Sequence, residues 1–226
     1  LRDHRRLPGD TKYPPLLAGV QGKIAITVLP DGRFAIPRLD SGAPSTHIIK
    51  VPEAGKEVLV EHEYALMSMA KAIFRDEVAE VAPIEIGDVK GLLVTRFDRD
   101  ISDGIVRRIH VEDFCQALGL PRGLKYQRDG NEDRKFSSER VRSLLDRTKA
   151  PAVSRSLFFE MTLLNLLLGN TDNHAKNHSL IYRGRTPELA PLYDVVPVLI
   201  DRNVTHELAF NIGKAKHFAE INPSEI

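Results

Sequence analysis

The apolar positions along the chain change their period near its middle. In the first half, short runs rich in β-branched residues predict strands at 23–29, 46–51, 81–86 and 91–97. Between the second and third of these runs, apolar residues recur at helical spacing across 60–74. The first half therefore predicts a strand-rich lobe that contains one helix.

The second half carries mainly helical patterns. Helices are predicted at 111–118, 138–145 and 154–168, and a stretch rich in Gly, Pro and charge at 119–134 predicts a surface loop. Charged residues interrupt the apolar pattern near 97–104, which is where the two halves meet. We therefore predict an α+β chain with a strand-rich N-terminal lobe at 1–97 and a mainly helical C-terminal lobe at 98–226. A cleft between two such lobes is a usual place for a nucleotide.

Charge and cysteine content narrow the class of protein. The chain has 32 basic and 31 acidic residues, a formal net charge of +1, which gives no reason to expect a polyanion bound over the whole surface. No apolar run is long enough to span a bilayer, so no membrane partner is expected. The single cysteine, Cys115, excludes an internal disulfide and favours a reducing cytoplasm, and its helical context predicts a packed thiol. Because the chain starts at Leu1 rather than Met, we expect it to be a piece of a longer protein.

A dense group of polar side chains lies between two apolar segments. The segment 170–178 follows a long predicted helix and precedes an apolar strand at 180–182. Buried polar groups without partners cost about 1–3 kcal/mol each, so this clamped segment predicts a functional site. Within it, Asp172 and Asn177 are five residues apart, which is the spacing of the D-x-x-x-x-N loop of kinases. There the carboxylate orients and deprotonates the attacking hydroxyl, and the amide oxygen binds a metal.

Three further residues complete a phosphoryl-transfer pattern. Asp194 comes seventeen residues after Asn177 and follows an apolar segment, which suits a second metal ligand. Lys50 ends a predicted strand, where its ammonium can point at phosphates. Glu63 in the next helix is the best candidate to pair with Lys50, as a helix glutamate pairs with the strand lysine in kinases.

Five segments in order resemble the motifs of the HipA-like toxin kinases. They read GVQGK at 19–23, PSTHIIK at 44–50, RFDR at 96–99, GNTDNHAKN at 169–177 and LYD at 192–194. The resemblance implies a two-lobed protein-kinase-like fold and Mg²⁺- and ATP-dependent phosphorylation of Ser or Thr on a protein. In the best-known members that protein is an aminoacyl-tRNA synthetase, so translation stalls and growth stops. The resemblance also implies a helix-turn-helix antitoxin that neutralises the kinase and represses its operon, with DNA bound only through that antitoxin.

The resemblance further implies roles for the matching residues. Asp172 would be the catalytic base, with His174 close to the phosphates. Asn177 and Asp194 would hold Mg²⁺, and Lys50 would contact the ATP phosphates. The segment from Thr95 to Phe97 would be the hinge for adenine, Asp98 would lie near the ribose, and 18–23 would be the phosphate-covering loop. The nucleotide-binding residues implied in this way are Ala18, Gly19, Val20, Gln21, Gly22, Lys23, Lys50, Glu63, Thr95, Phe97, Asp98, His174, Lys176, Asn177 and Asp194.

The sequence also departs from the family and leaves alternatives open. Family members commonly carry an autophosphorylated Ser at the start of the phosphate-covering loop, but Leu16 and Ala18 at the corresponding positions cannot accept phosphate. A metal hydrolase built on His174 and His178 is a rival interpretation, although Lys50 and the Gly-rich loop would then have no role. Two further interpretations remain open. One is a non-catalytic pseudokinase scaffold that binds an antitoxin, and the other is a kinase that acts on small molecules.

Several other residues are expected to be structural. Lys125 and Tyr126 are candidates to face a substrate, although a plain surface loop is the stronger expectation. His178 is expected to be packed or hydrogen-bonded, and Phe97 and Tyr193 are expected in the core or in the wall of the adenine pocket.

Overall fold

The computed structural model describes residues 22–38, 41–53 and 55–222. These residues form two compact units. The first holds the described residues up to Ile73 together with Ala79–Arg108, and the second holds Phe74–Val78 and the residues from Ile109 onward. The domain boundary predicted after position 97 stays a prediction. The expectations for Leu16 and for Ala18, Gly19, Val20 and Gln21 lie outside the described residues.

The first unit is built on an antiparallel sheet of five strands, in the order β2-β1-β3-β5-β4. Its strands are β1 (Gly22–Val28), β2 (Phe34–Ala35), β3 (His47–Val51), β4 (Val81–Ile86) and β5 (Val89–Thr95). Side chains alternate between the two faces of a strand. Ile24, Ile26 and Ile49 are buried together on one face, which leaves Lys50 on the other.

Helix α1 (Val58–Phe74) follows β3 and buries a stripe at helical spacing. The buried residues of this stripe are Val60, Glu63, Met67 and Ala70. Glu63 is thus a carboxylate on an otherwise apolar face, and such a group needs a partner. Its partner is Lys50 on β3.

A hairpin of β6 (Arg99–Ser102) and β7 (Ile105–Arg108) completes the first unit. This charged stretch was expected only to interrupt the apolar pattern, and the hairpin was not predicted. Asp103 and Gly104 both have positive φ, at 53° and 72°, as a tight two-residue hairpin turn requires. The Asp-Gly pair was therefore a hairpin signal that the charge pattern obscured.

The described part of the second unit contains three α-helices and two small sheets. Its elements are β8 (His110–Asp113), α2 (Phe114–Ala117), α3 (Ser138–Leu145), α4 (Pro151–Leu167), β9 (Ser179–Tyr182), β10 (Glu188–Leu189), β11 (Glu207–Ile212) and β12 (Ala215–His217). The sheets have the orders β10-β9-β8 and β11-β12, and all of these pairings are antiparallel. Among the described residues, no helix has both the length and the apolar character needed to cross a membrane.

The helix predicted at 111–118 is wrong over its first half. Val111 lies in strand β8 and pairs with Ile181 of β9. Helix α2 begins only after Asp113, whose side chain accepts a hydrogen bond from the Gln116 backbone while the Gln116 side chain accepts one from the Asp113 backbone. This capping box fixes the start of the helix, and pairing with β9 outweighs the helical periodicity of the residues before it.

An aromatic cluster forms the core around β9. His178 packs against Phe114 and Phe158 at ring-centroid distances of 5.3 and 4.9 Å. Phe136 packs edge-on against Phe210 at 5.2 Å. His178 is the last residue of the polar segment 170–178, so this cluster anchors the end of that segment in rigid, apolar surroundings. Cys115 is buried, as predicted.

Candidate active site

Lys50 and Glu63 form a buried ion pair in the first unit. Their side chains are 7% and 2% exposed, and the Lys50 ammonium donates a hydrogen bond to Glu63 Oε1. Gly91 lies behind this pair, where an added Cβ would come within 2.9 Å of the Lys50 carbonyl oxygen. The predicted contact between Lys50 and Glu63 is present in the structure. Whether the pair serves ATP stays a prediction.

Lys23 and Gly22 begin strand β1, next to the same part of the sheet. Lys23 is the antiparallel partner of Lys50, so both lysine side chains project from the same face. Gly22 is the partner of Val51. Two lysine side chains therefore leave one face of the sheet close together, and one of them, Lys50, is paired with Glu63.

The predicted hinge is held by its neighbours in the first unit. The Thr95 amide donates to the Glu80 carbonyl at 2.9 Å, and the Arg96 amide donates to the Thr46 carbonyl at 3.0 Å. Phe97 follows directly. These bonds align the end of β5 with β3 and with the residue before β4, so the hinge backbone is fixed by the strands beside it.

Asp98 accepts hydrogen bonds from two arginines. Arg96 is bidentate, with Nε at 2.9 Å from Oδ1 and a terminal nitrogen at 2.7 Å from Oδ2, and Arg99 lies 2.8 Å from Oδ2. Burial alone would raise the pKa of Asp98, but the two arginines outweigh it and hold that pKa below its usual range. Arg99 also donates to the Ser45 carbonyl at 2.6 Å. Asp98 is therefore an ionised anchor for this segment, which the sequence analysis placed near the ribose.

Helix α4 ends shortly before the polar segment 170–178 of the second unit and sets where that segment begins. Gly169 ends the helix in the left-handed region, at φ 73°, where a residue without a Cβ is favoured. The Asn170 amide then donates to the Asn165 carbonyl at 2.8 Å, and its side chain donates to Asn165 Oδ1 at 2.7 Å. The chain thus turns sharply into Asp172 within a few residues of the helix end.

Asp172 is held by a residue that the sequence analysis assigned to a plain surface loop. The Tyr126 hydroxyl donates to Asp172 Oδ1 at 2.7 Å. Burial, and then the hydrogen bond to Asp172, raise the pKa of Tyr126, so the hydroxyl stays a donor. Tyr126 is itself fixed, because the Arg128 guanidinium lies 3.9 Å from its ring centroid and the Lys125 carbonyl accepts from the Ala175 amide at 3.1 Å. No spacing in the sequence pairs the loop at 119–134 with Asp172, which is why the contact was missed.

Replacing Tyr126 by Phe is expected to lower the rate of the predicted phosphoryl transfer about tenfold, because the hydrogen bond that orients the predicted base Asp172 is lost. ATP affinity is expected to stay unchanged, since Tyr126 contacts the predicted base and not the predicted metal ligands. Transfer of the γ-phosphoryl group and ATP binding are to be measured separately. In an Asp172→Asn background the Tyr126→Phe change is expected to add no further loss, and a full additional loss would contradict a role through Asp172.

His174 lies two residues after Asp172 and is largely buried. Burial lowers the pKa of His174, and the nearby Asp172 only partly opposes this, so the ring is neutral at pH 7. The ring meets Tyr126 edge-on at 5.3 Å, and Nδ1 has no hydrogen-bond partner among the described residues. The buried polar atoms Thr171 Oγ1 and Asn173 Nδ2 also have no hydrogen-bond partner among the described residues. A cluster of buried polar atoms of this kind is uncommon and indicates a functional site.

Asn177 and Asp194 have the donor chemistry that Mg²⁺ prefers. The Asn177 Nδ2 group donates to the Asp172 carbonyl at 3.0 Å. Asp194 is a non-glycine residue at φ 63°, a costly backbone conformation that is often found at functional sites. An amide oxygen and a carboxylate suit a hard divalent cation, so the residues present fit Mg²⁺.

Lys176, predicted among the nucleotide-binding residues, is paired within the second unit. Its ammonium forms an ion pair and hydrogen bond with Asp113, the residue that caps α2. This pair anchors the segment that carries Asn177 to the start of α2. A role of Lys176 toward nucleotide stays a prediction.

His178 is packed in the core, in agreement with its expected structural role. It is 4% exposed, and burial lowers its pKa to about 3, so it is neutral at pH 7. Among residues 22–38, 41–53 and 55–222, no group of three or more His, Cys, Asp or Glu side chains could hold a metal ion. The hydrolase interpretation needs such a group, and His178 faces the aromatic cluster instead.

Solved structures identify the class of protein. The chain aligns at a TM-score of 0.82 and 31% identity with HipA of Shewanella oneidensis in its complex with HipB and operator DNA, covering 96% of this chain and 52% of that chain. It aligns at a TM-score of 0.53 and 15% identity with the kinase CtkA of Helicobacter pylori, covering 76% and 58%, a likeness that shows the fold alone. The protein therefore has the predicted α+β, kinase-like fold.

The family follows from the sequence itself. The model of the HipA-like C-terminal domain matches residues 16–225, and the chain belongs to this family. Y4mE of Sinorhizobium fredii, a protein assigned as a kinase, is 39% identical over 210 residues, which are 91% of this chain and 48% of that protein. The serine/threonine-protein kinase toxin HipA of Shewanella oneidensis is 34% identical over 220 residues, 93% and 48% of the two chains. The chain thus spans about half the length of the curated relatives that it matches.

Proposed function

We propose that this chain is the ATP-binding and phosphoryl-transfer part of a Mg²⁺-dependent Ser/Thr protein kinase that acts as the toxin of a toxin–antitoxin pair. The observation that carries the proposal is the position of Asp172. Its carboxylate is oriented by Tyr126, and its carbonyl fixes the amide of Asn177. One short loop therefore holds a carboxylate base and a metal-binding amide in a fixed relation, as phosphoryl transfer requires.

Each residue of the site has a separate role in the proposed phosphoryl transfer. Asp172 accepts the proton of the attacking Ser or Thr hydroxyl, and Tyr126 keeps the carboxylate in its orientation. Asn177 and Asp194 would hold Mg²⁺, which when bound would neutralise charge on the transferred phosphoryl group. Lys50, held by Glu63, contacts the ATP phosphates. Most of the rate then comes from positioning and from electrostatic stabilisation rather than from covalent chemistry.

The proposed partner is a HipB-like helix-turn-helix antitoxin. Support comes from the similar HipA of Shewanella oneidensis, whose solved structure is a complex with HipB and operator DNA. The proposed substrate is a Ser or Thr on a component of translation such as an aminoacyl-tRNA synthetase, an expectation that rests on the family resemblance. DNA would be reached only through the antitoxin.

A transfer assay tests this function. The full chain is incubated with γ-labelled ATP, Mg²⁺ and a panel of purified aminoacyl-tRNA synthetases, followed by phosphoamino-acid analysis. The proposal expects Mg²⁺-dependent label on Ser or Thr of a protein. Label on a small molecule alone would support the small-molecule kinase instead, and tight ATP binding with no transfer to any acceptor would support the pseudokinase scaffold.

A further inference from the structure

Tyr193 lies in the second unit, directly before the predicted metal ligand Asp194, and its hydroxyl contacts the loop that carries the other ligand. It donates to the Lys176 carbonyl at 2.9 Å, and Lys176 directly precedes Asn177. The same hydroxyl oxygen lies 2.7 Å from Ser179 Oγ. Because a tyrosine has one hydroxyl proton and the carbonyl can only accept, Ser179 is the donor in this second bond.

The segment before Asp194 is also fixed at its backbone. The Ala190 amide donates to the Ser179 carbonyl at 2.9 Å, and the Leu192 amide donates to the Glu77 carbonyl at 2.8 Å. Leu192 and Val195, on either side of the Tyr193–Asp194 pair, are buried. The chain therefore reaches Asp194 from a firmly held position, with Tyr193 as the side chain that turns toward the catalytic loop.

The loop around Asn177 is fixed from its own side. The Asn177 amide donates to the His174 carbonyl at 2.8 Å, and its side-chain Nδ2 donates to the Asp172 carbonyl at 3.0 Å. Ser179, which starts β9, is 4% exposed. Two rigid segments thus meet at the Tyr193 hydroxyl, one ending in Asn177 and the other in Asp194.

We propose that the Tyr193 hydroxyl is a positioning group that sets the spacing between Asn177 and Asp194, and thereby the affinity of the site for the Mg²⁺ of Mg-ATP. Mg²⁺ demands near-ideal octahedral geometry, so a small change in ligand spacing weakens its binding more than it weakens contacts to the nucleotide itself. Asp194 sits in the left-handed region of backbone space, at φ 63°, which persists only when surrounding contacts impose it. The bond from Tyr193 to Lys176 is one such contact, placed one residue from each ligand. This inference rests on the proposed function, because it assumes that Asn177 and Asp194 bind the metal.

The test compares Tyr193→Phe with the wild type in ATP binding across a series of Mg²⁺ concentrations, and again in EDTA. The Mg²⁺ concentration for half-maximal stimulation of ATP binding is expected to rise about tenfold, since the variant leaves the Lys176 carbonyl and the Ser179 hydroxyl short of a partner. ATP affinity in EDTA is expected to stay as in the wild type. A matched control is Tyr182→Phe at the end of β9, which removes a tyrosine hydroxyl that donates to Glu112 at 2.5 Å and not to Lys176. Its Mg²⁺ response is expected to be that of the wild type.

The outcomes separate this inference from the proposed function. If ATP binding by the wild type does not respond to Mg²⁺, that result contradicts both the proposed function and this inference. A responsive wild type with an unchanged Tyr193→Phe response would overturn the inference alone. Equal loss of affinity with Mg²⁺ and in EDTA would assign Tyr193 a general packing role and overturn it as well. If Tyr193→Phe does not fold, Ser179→Ala is measured in its place. Its Mg²⁺ concentration for half-maximal stimulation of ATP binding is expected to rise about threefold, because the bond from Tyr193 to Lys176 remains. A wild-type Mg²⁺ response in Ser179→Ala contradicts the inference.

Discussion

Replacing Asp172 by Asn is expected to lower the rate of phosphoryl transfer about a thousandfold, the usual scale for loss of a general base. The amide keeps an oxygen that accepts the Tyr126 hydrogen bond, so the loop should keep its shape. Because the side chain can no longer accept a proton, the loss is expected in kcat while ATP affinity is retained. Label transfer from ATP and calorimetric ATP binding together measure this separation.

A matched control for this prediction is Asp113→Asn, on the neighbouring segment. Asp113 pairs with Lys176 and caps α2, so its replacement perturbs the same loop without touching the base. Its expected effect on the transfer rate is much smaller, because an asparagine can still cap the helix. Equal losses in the two variants would mean that Asp172 acts only as part of the loop structure.

Replacing Glu63 by Ala is expected to lower the free energy of unfolding by about 3–5 kcal/mol, the cost of removing one member of a buried ion pair. Lys50 would remain on a sheet face where its side chain is 7% exposed. Replacing both residues, as in Lys50→Met with Glu63→Leu, is expected to recover most of the loss, because an apolar pair of similar size fills the same space. Chemical denaturation of the single and double variants measures both effects.

The same helix supplies the control for Glu63. Glu61 pairs with Lys90 at 3.4 Å, but both side chains are more than half exposed. Replacing Glu61 by Ala is expected to change the free energy of unfolding by at most about 1 kcal/mol, because solvent screens such pairs. If Glu63→Ala were no more destabilising than Glu61→Ala, the ion pair would not be buried in the sense that the structure shows.

Strands β1, β3, β4 and β5 of the first unit could be predicted because their residues alternate or are β-branched and their turns are marked. Helix α1 could be predicted from its apolar spacing, and the same spacing places Glu63 on the buried face. Strand β8 could not be separated from α2, since only pairing with β9 and the capping box at Asp113 fix that boundary. Strands β11 and β12 carry a register irregularity and lie beyond the recognised motifs, and no prediction covered them.

The candidate site could be predicted as far as local spacing and family motifs reach. Asp172 and Asn177 are five residues apart in one loop, so their proximity could be predicted from that spacing alone. Tyr126 is 46 residues away from Asp172, and Tyr193 is 17 residues away from Lys176. Contacts such as these depend on how loops fold back in three dimensions, and no periodicity or motif of one sequence encodes them.

The most direct test of a Mg²⁺-ATP site is calorimetric titration of ATP into the full chain, with Mg²⁺ in excess and again in EDTA, for the wild type and for Asp194→Ala. The wild type is expected to bind ATP at least about tenfold more tightly with Mg²⁺, because the proposed carboxylate and amide ligands, Asp194 and Asn177, would hold the metal that accompanies the nucleotide. In Asp194→Ala that increase is expected to disappear while thermal unfolding remains cooperative. Absence of ATP binding in a folded wild type, or an identical Mg²⁺ response in the two proteins, would contradict the account.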